Sequence, residues 1–158
     1  MSSYDDPLLL YATHAWLLTG NETYYEWALK TAEEAMSKGD YGGAAIPISQ
    51  GFMALTLLYP YVDVGTKTNI EEALKDYYQN NLHDGLFAPY YDGQNYYMEL
   101  LAQCITAVAF LNMYEITEGE EWLDMAEDVI MSLWQFRNKT TNIVEREVYV
   151  NGTPREIY

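Results

Sequence analysis

One cysteine, Cys104, is all the sequence offers for disulfide chemistry, so no intrachain bridge can brace it. Its setting in a segment apolar nearly all round predicts a small, buried packing residue. Positive charge is also scarce. Lys and Arg total 8 against 24 Asp and Glu in 158 residues, a formal charge of -16. Such a chain repels a phosphate backbone and an anionic lipid surface, so neither nucleic acid nor a membrane is an expected partner. With two histidines, His14 and His83, and no spacing that sets them beside Cys104 or a carboxylate group on one surface, no metal site is expected. Gly-rich phosphate loops, the Gly-x-Ser-x-Gly elbow and the zincin helix signature are absent, and no cofactor is expected.

Long hydrophobic runs are missing too. None reaches the roughly 20 residues that cross a bilayer, and Glu99 and Gln103 interrupt the longest candidate, so no membrane insertion is expected. The first six residues, Met1 to Asp6, lack the basic and apolar regions of a signal peptide. Three Asn-x-Thr sequons, at Asn21, Asn138 and Asn151, together with few lysines and sixteen tyrosines, favour an extracytoplasmic origin if the chain is an excised domain.

What is present is an alternation. Segments that are apolar nearly all round are followed by segments apolar on a single stripe, three times over. Leu8 to Leu18 leaves no continuous polar face, whereas Tyr24, Trp27, Ala28, Thr31, Ala32 and Ala35 recur at helical spacing opposite Glu22, Glu26, Lys30, Glu33 and Glu34. Pro47 to Tyr59 is again apolar, and Ile70, Ala73, Leu74, Tyr77 and Tyr78 mark a shorter one-sided partner. Tyr96 to Ile116 is the longest apolar segment, and Trp122, Leu123, Ala126, Val129, Ile130 and Leu133 stripe the helix after it. Thr19-Gly20-Asn21-Glu22 and Thr117-Glu118-Gly119-Glu120 are read as turns of one kind.

The pattern predicts an all-α fold of three antiparallel αα-hairpins in two layers, a partial α/α toroid, with the all-round apolar helices inside. The hairpins occupy residues 1–137. Residues 138–158 form an extension in which Val144 to Val150 alternates like a strand and Asn151-Gly152 signals a two-residue turn, predicting a short C-terminal β-hairpin. Three hairpins leave the sides of the first and last inner helices uncovered, at Leu9, Trp16, Phe110 and Met113. Either self-association into a homo-oligomer or a longer parent chain would cover them.

Loop length points to one end of the stack. Inner helices of such a stack run parallel, so the long connections around Lys38 to Ile46 and Asn80 to Asn95 emerge beside their N-termini. That rim gathers Asp6, Asp40, Tyr41, His83, Asp84, Phe87, Tyr90, Tyr91, Asp92, Tyr96, Tyr97 and Glu99. Carboxylates bond sugar hydroxyls or move protons, and tyrosine rings stack on the apolar face of a sugar. Asp84 and Asp92 flank the longest glycine-containing aromatic loop and are the acid/base candidates. The others are candidate substrate contacts. The same residues also suit helix caps, turns and boundary layers, which leaves a noncatalytic helical-repeat scaffold for protein interaction or self-association as the alternative.

Leu17-Leu18-Thr19-Gly20-Asn21-Glu22-Thr23-Tyr24-Tyr25-Glu26-Trp27-Ala28 and Tyr114-Glu115-Ile116-Thr117-Glu118-Gly119-Glu120-Glu121-Trp122-Leu123-Asp124-Met125-Ala126 resemble the hairpin repeat of the six-hairpin glycosidase superfamily. That group includes unsaturated glucuronyl hydrolases and N-acylglucosamine 2-epimerase-like proteins. The resemblance runs in style from Asp6 to Arg137, about half of a full toroid. It implies a carbohydrate-active or carbohydrate-binding domain, related to a glycoside hydrolase or sugar epimerase, with its cleft where the inner helices begin.

Overall fold

The structure, a computed structural model, describes the backbone of residues 5–38 and 45–155 and the side chains of residues 8–37 and 49–155. The order is α1 (Asp5–Thr19), α2 (Glu22–Lys38), α3 (Ala45–Leu58), a 3-10 turn (Tyr59–Tyr61), α4 (Val64–Asn80), β1 (Leu82–His83), β2 (Leu86–Phe87), β3 (Tyr90–Tyr91), β4 (Tyr96–Glu99), α5 (Leu100–Thr117), α6 (Glu120–Trp134) and β5 (Glu147–Tyr149). It divides into two compact units, residues 1–75 and 76–158.

In the first unit α1 packs on α2 and α3. Leu9, Ala12 and Thr13 of α1 are buried, as are Ala28, Ala32 and Ala35 of α2, whose small side chains at helical spacing let a neighbouring helix come close. Phe52, Leu55 and Leu58 of α3 are fully buried, and each such side chain stabilises the fold by about 1.5–3 kcal/mol. The turn between α1 and α2 has the expected chemistry. Gly20 takes the left-handed conformation (φ +66°) and its N–H donates to the Trp16 carbonyl at 2.7 Å, while Asn21 Oδ1 accepts the Thr23 N–H at 3.0 Å.

The second amphipathic partner is not short. α4 runs 17 residues because Asp63, unremarkable in the apolar pattern, starts it: the carboxylate accepts the Thr66 N–H at 3.1 Å and its hydroxyl at 2.8 Å. These bonds, the hydroxyl first, hold the Asp63 carboxyl below its ordinary range. Tyr59 ends the preceding helix with its hydroxyl on the Glu71 carboxylate, and burial followed by that bond pushes the phenol up to about 12.

In the second unit α5 and α6 form an antiparallel hairpin, with Phe110 and Trp122 stacked at 6.2 Å. Here several expectations fail. Tyr96 to Glu99 is not the first turn of the inner helix but the central strand of a three-stranded antiparallel sheet ordered β3-β4-β5. α5 begins at Leu100, capped by the Glu99 carboxylate, which accepts the Ala102 N–H at 3.0 Å. The turn after α5 differs from that after α1: Glu118, not glycine, takes the left-handed conformation (φ +57°), and Gly119 has φ -78°. A Cβ on Gly119 would lie 3.1 Å from the Trp122 ring, a tight contact that the ring would have to relieve by a small shift.

In this hairpin burial does not separate the layers, since α5 buries seven of its eighteen residues and α6 six of fifteen, whereas α3 is buried along most of its described length and α4 on a single stripe. The uncovered sides of α1 and α5 exist, but Leu9, Phe110 and Met113 are buried and Trp16 is half-buried between Tyr25 and Tyr61; other residues carry the exposed surface. Cys104 is exposed, not buried. Among the described residues α5 alone is long and apolar enough, by length and composition, to span a bilayer, because Glu99 lies just outside it.

The C-terminal extension joins this unit through β5, which pairs with β4 rather than forming a free-standing hairpin. The Asn151-Gly152 turn forms, with Gly152 at φ +85°. Among the described residues the return segment pairs through a bridge between Val148 and Pro154, the Tyr149 N–H to the Thr153 carbonyl at 2.9 Å and the Arg155 N–H to the Glu147 carbonyl at 3.0 Å. Proline cannot donate to a ladder, which limits the pairing.

Candidate functional site

The aromatic loop is built from two small antiparallel pairs. Leu82 faces Phe87 and His83 faces Leu86 across a two-residue turn in which Asp84 (φ +54°) and Gly85 (φ +78°) are both left-handed, as a type I′ turn requires. Phe87 is fully buried. Its ring lies 6.1 Å from Tyr78 and 5.7 Å from Tyr77, its N–H donates to Ser132 Oγ at 2.8 Å, and its carbonyl accepts Gln103 Nε2 at 2.7 Å. It anchors the loop to α5 and α6 rather than meeting solvent.

Strand register then sorts the tyrosines. Tyr90 opposes Tyr97 and Tyr91 opposes Tyr96, while Tyr97, Met98 and Glu99 oppose Tyr149, Val148 and Glu147. Because side chains alternate between faces, Tyr91, Tyr96, Met98 and Val148 share one side, and Tyr90, Tyr97, Glu99, Glu147 and Tyr149 the other.

The first side runs from wet to dry along β4. Met98 is fully buried, beside Ala88 and Leu133, whereas Tyr96 is 40% and Tyr91 58% exposed. The Tyr91 and Tyr96 ring centres lie 4.9 Å apart, and the His83 imidazole stacks on Tyr96 at 3.5 Å, only 17° from parallel. Three partly exposed rings from three strands thus lie against one another in a ladder.

The second side is polar and partly buried. Glu99 and Glu147 are directly opposed, and both are buried. Arg155 pairs with the Glu147 carboxylate and lies 4.2 Å from the Tyr97 ring centre, while Tyr97 lies 5.3 Å from Tyr90 and 6.2 Å from Tyr149. Burial, then the nearby Tyr77, Glu99 and Tyr97, raises the Tyr90 phenol far above its ordinary range.

Asp92 closes the loop between β3 and β4. One oxygen accepts the Gln94 and Asn95 N–H groups at 3.0 and 2.9 Å, and the other accepts the Tyr149 hydroxyl at 2.7 Å. The Asn95 bond first, then Tyr149 and Gln94, holds this carboxyl below its ordinary range. At neutral pH it is an anion, suited to accept a proton or a hydroxyl bond rather than to act as a general acid. Asp84 stands exposed at the tip of the other turn.

The loop therefore brings together His83, Tyr90, Tyr91, Asp92, Tyr96, Tyr97 and Glu99. Asp40 and Tyr41 lie outside the described residues. Asp6 lies in the first turn of α1, its side chain not described. Glu147, Tyr149 and Arg155 were not foreseen here. The alternation from Val144 to Val150 does set Glu147 and Tyr149 on one face, but their partner strand was hidden while Tyr96 to Glu99 read as helix. Among the described residues no group of three His, Cys, Asp or Glu side chains could hold a metal ion.

No protein-family model matches the chain, and no curated protein matches its sequence. Solved structures do match in fold. A D-mannose isomerase superposes with a TM-score of 0.69 at 13% identity, covering 96% of this chain and 46% of the isomerase. An α-1,6-mannanase from Salegentibacter sp. gives 0.69 at 16% identity, covering 94% of this chain and 46% of its own. An inactive variant of that mannanase with two consecutive aspartates changed to asparagine, in complex with α-1,6-mannotriose, gives 0.68 at 17% identity over 92% and 45%. The chain thus shares the mostly-α fold of these structures and spans about half the length of each.

Proposed function

We propose that this chain supplies part of a carbohydrate-binding cleft, with a sugar ring seated on the His83, Tyr91 and Tyr96 ladder at the start of α5. The observation that carries the reading is that ladder: three partly exposed rings lying against one another, with the Asp84 and Asp92 carboxylates in the flanking turns. Aromatic faces take the apolar side of a pyranose, and the polar rim takes its hydroxyls. The mannose isomerase and the mannanase that share the fold act on mannose or its α-1,6 polymer, which makes a mannoside the first ligand to test.

Catalysis on such a ligand needs a carboxylate pair. Asp84 and Asp92 flank the ladder, with Asp92 in the role of an anion. Glu99 and Glu147 lie on the other side of the sheet, Glu99 capping α5 and Glu147 paired with Arg155.

Titration calorimetry with α-1,6-mannotriose tests the binding reading. Tyr91→Ala and Tyr96→Ala are each expected to weaken binding about tenfold, near 1.4 kcal/mol. Unchanged affinity in both would remove the ladder as the site. Turnover lost in Asp84→Asn or Asp92→Asn, with binding kept, would identify the reacting carboxylates.

A further inference from the structure

Two exposed apolar seams, one in each unit, have the same spacing. On α1, Leu8, Tyr11, Ala15 and Leu18 follow one another at intervals of three, four and three residues; Ala15 is half-buried and the other three are exposed, Leu18 to 84%. On α5, Leu101, Cys104, Val108 and Leu111 repeat those intervals, and all four are exposed. This is the 3-4 rhythm by which one helix seats its side chains between those of another.

Neither seam carries formal charge on or beside it. No Asp, Glu, Lys or Arg occurs from Leu8 to Thr19 or from Leu100 to Tyr114, in a chain of formal charge -16. The opposite sides of the two helices are occupied: α1 packs on α2 and α3, and α5 packs on α6. A bilayer would want all sides of α5 apolar and bare, whereas Gln103, Thr106 and Phe110 are buried against protein. What each seam lacks is one more helix.

We propose that a second copy supplies it, the α1 seam of one copy packing into the α5 seam of the other. A two-fold operation makes that contact twice. The matched toroids are about twice as long as this chain, which covers 46% of the isomerase and 46% of the mannanase, so two copies bring the helix content of one such ring. Like-charged copies repel, and screening by salt relieves that repulsion without weakening apolar contact, so raising ionic strength tightens the dimer.

Sedimentation equilibrium on the whole chain at low and high salt tests this. A dimer is expected, tighter at high salt. Val108→Glu and Leu18→Glu, both at exposed positions, are each expected to raise the dissociation constant at least tenfold with circular dichroism unchanged. Mixing the two variants in equal amounts is expected to restore part of the association, because the heterodimer keeps one undamaged α1–α5 contact. In an Ala15→Cys variant, oxidation should link the new thiol to Cys104 of a second copy. A monomer at both salt concentrations, dimers linked through Cys104 alone in the unmodified chain, or partition of the chain into neutral lipid vesicles would each overturn the proposal. Loss of sugar binding with the dimer intact would count against the cleft and leave the pairing standing.

Discussion

Glu118 sits where a glycine is expected and Gly119 where one is not. A residue with a Cβ in the left-handed region costs about 1–2 kcal/mol, and Glu118 bears that strain at φ +57° to end α5. Glu118→Gly is therefore expected to stabilise the chain by about 0.5–1 kcal/mol in urea unfolding. Gly20→Ala, at φ +66°, is expected to cost about as much. Gly119→Ala is expected to destabilise for the other reason, contact with Trp122. The sequence alone could place both turns, since apolar periodicity stops on either side of them. It could not assign backbone sign within the second, because Thr-Glu-Gly-Glu fits a cap with the positive φ on either middle residue. Asp63 escaped notice for a similar reason: one carboxylate starts a helix through Thr66, and nothing in the hydrophobic pattern registers a cap.

At the level of the element, the instructive case is β4. Tyr-Tyr-Met-Glu is compatible with helix or strand, and it adjoins 18 residues of real helix. Pairing decides. β3 and β5 lie on either side, and β5 comes from the extension some fifty residues later, so local reading had no access to it. The rim position of the aromatic loop was legible because a long loop must leave the end of a helix. Which tyrosines share a face was not, since a shift of one residue in register exchanges the two sides. Asp92 fastens this sheet, and the pH dependence follows from its lowered pKa. Its contribution is complete above the ordinary carboxyl value of 3.8 and is lost as pH falls through the depressed folded value. Amide exchange at Gln94 and Asn95 is expected to be slow at neutral pH and to lose protection on acidification below that range, or at any pH in Asp92→Ala.

Across the whole molecule, the sixteen tyrosines make alkaline pH a probe of the fold. Burial is the first cause that raises the phenols of Tyr77, Tyr78 and Tyr90, each well above its ordinary range, and Tyr59 rises to about 12. Since the unfolded chain ionises these groups near pH 10, stability should fall as pH climbs above that value. Tyrosinate absorbance is expected in two stages, exposed phenols first and the buried set together with loss of helical circular dichroism. A single smooth titration over all tyrosines would contradict the burial described.

The sugar site is tested most directly by nuclear magnetic resonance of the isotopically labelled chain titrated with α-1,6-mannotriose. Saturable shifts are expected at His83, Tyr91, Tyr96 and the Gln94 and Asn95 amides, with little change along α2. No shift at saturating sugar, or shifts that avoid residues 82–99 altogether, would show that the tyrosine ladder is structural and that any sugar is bound elsewhere.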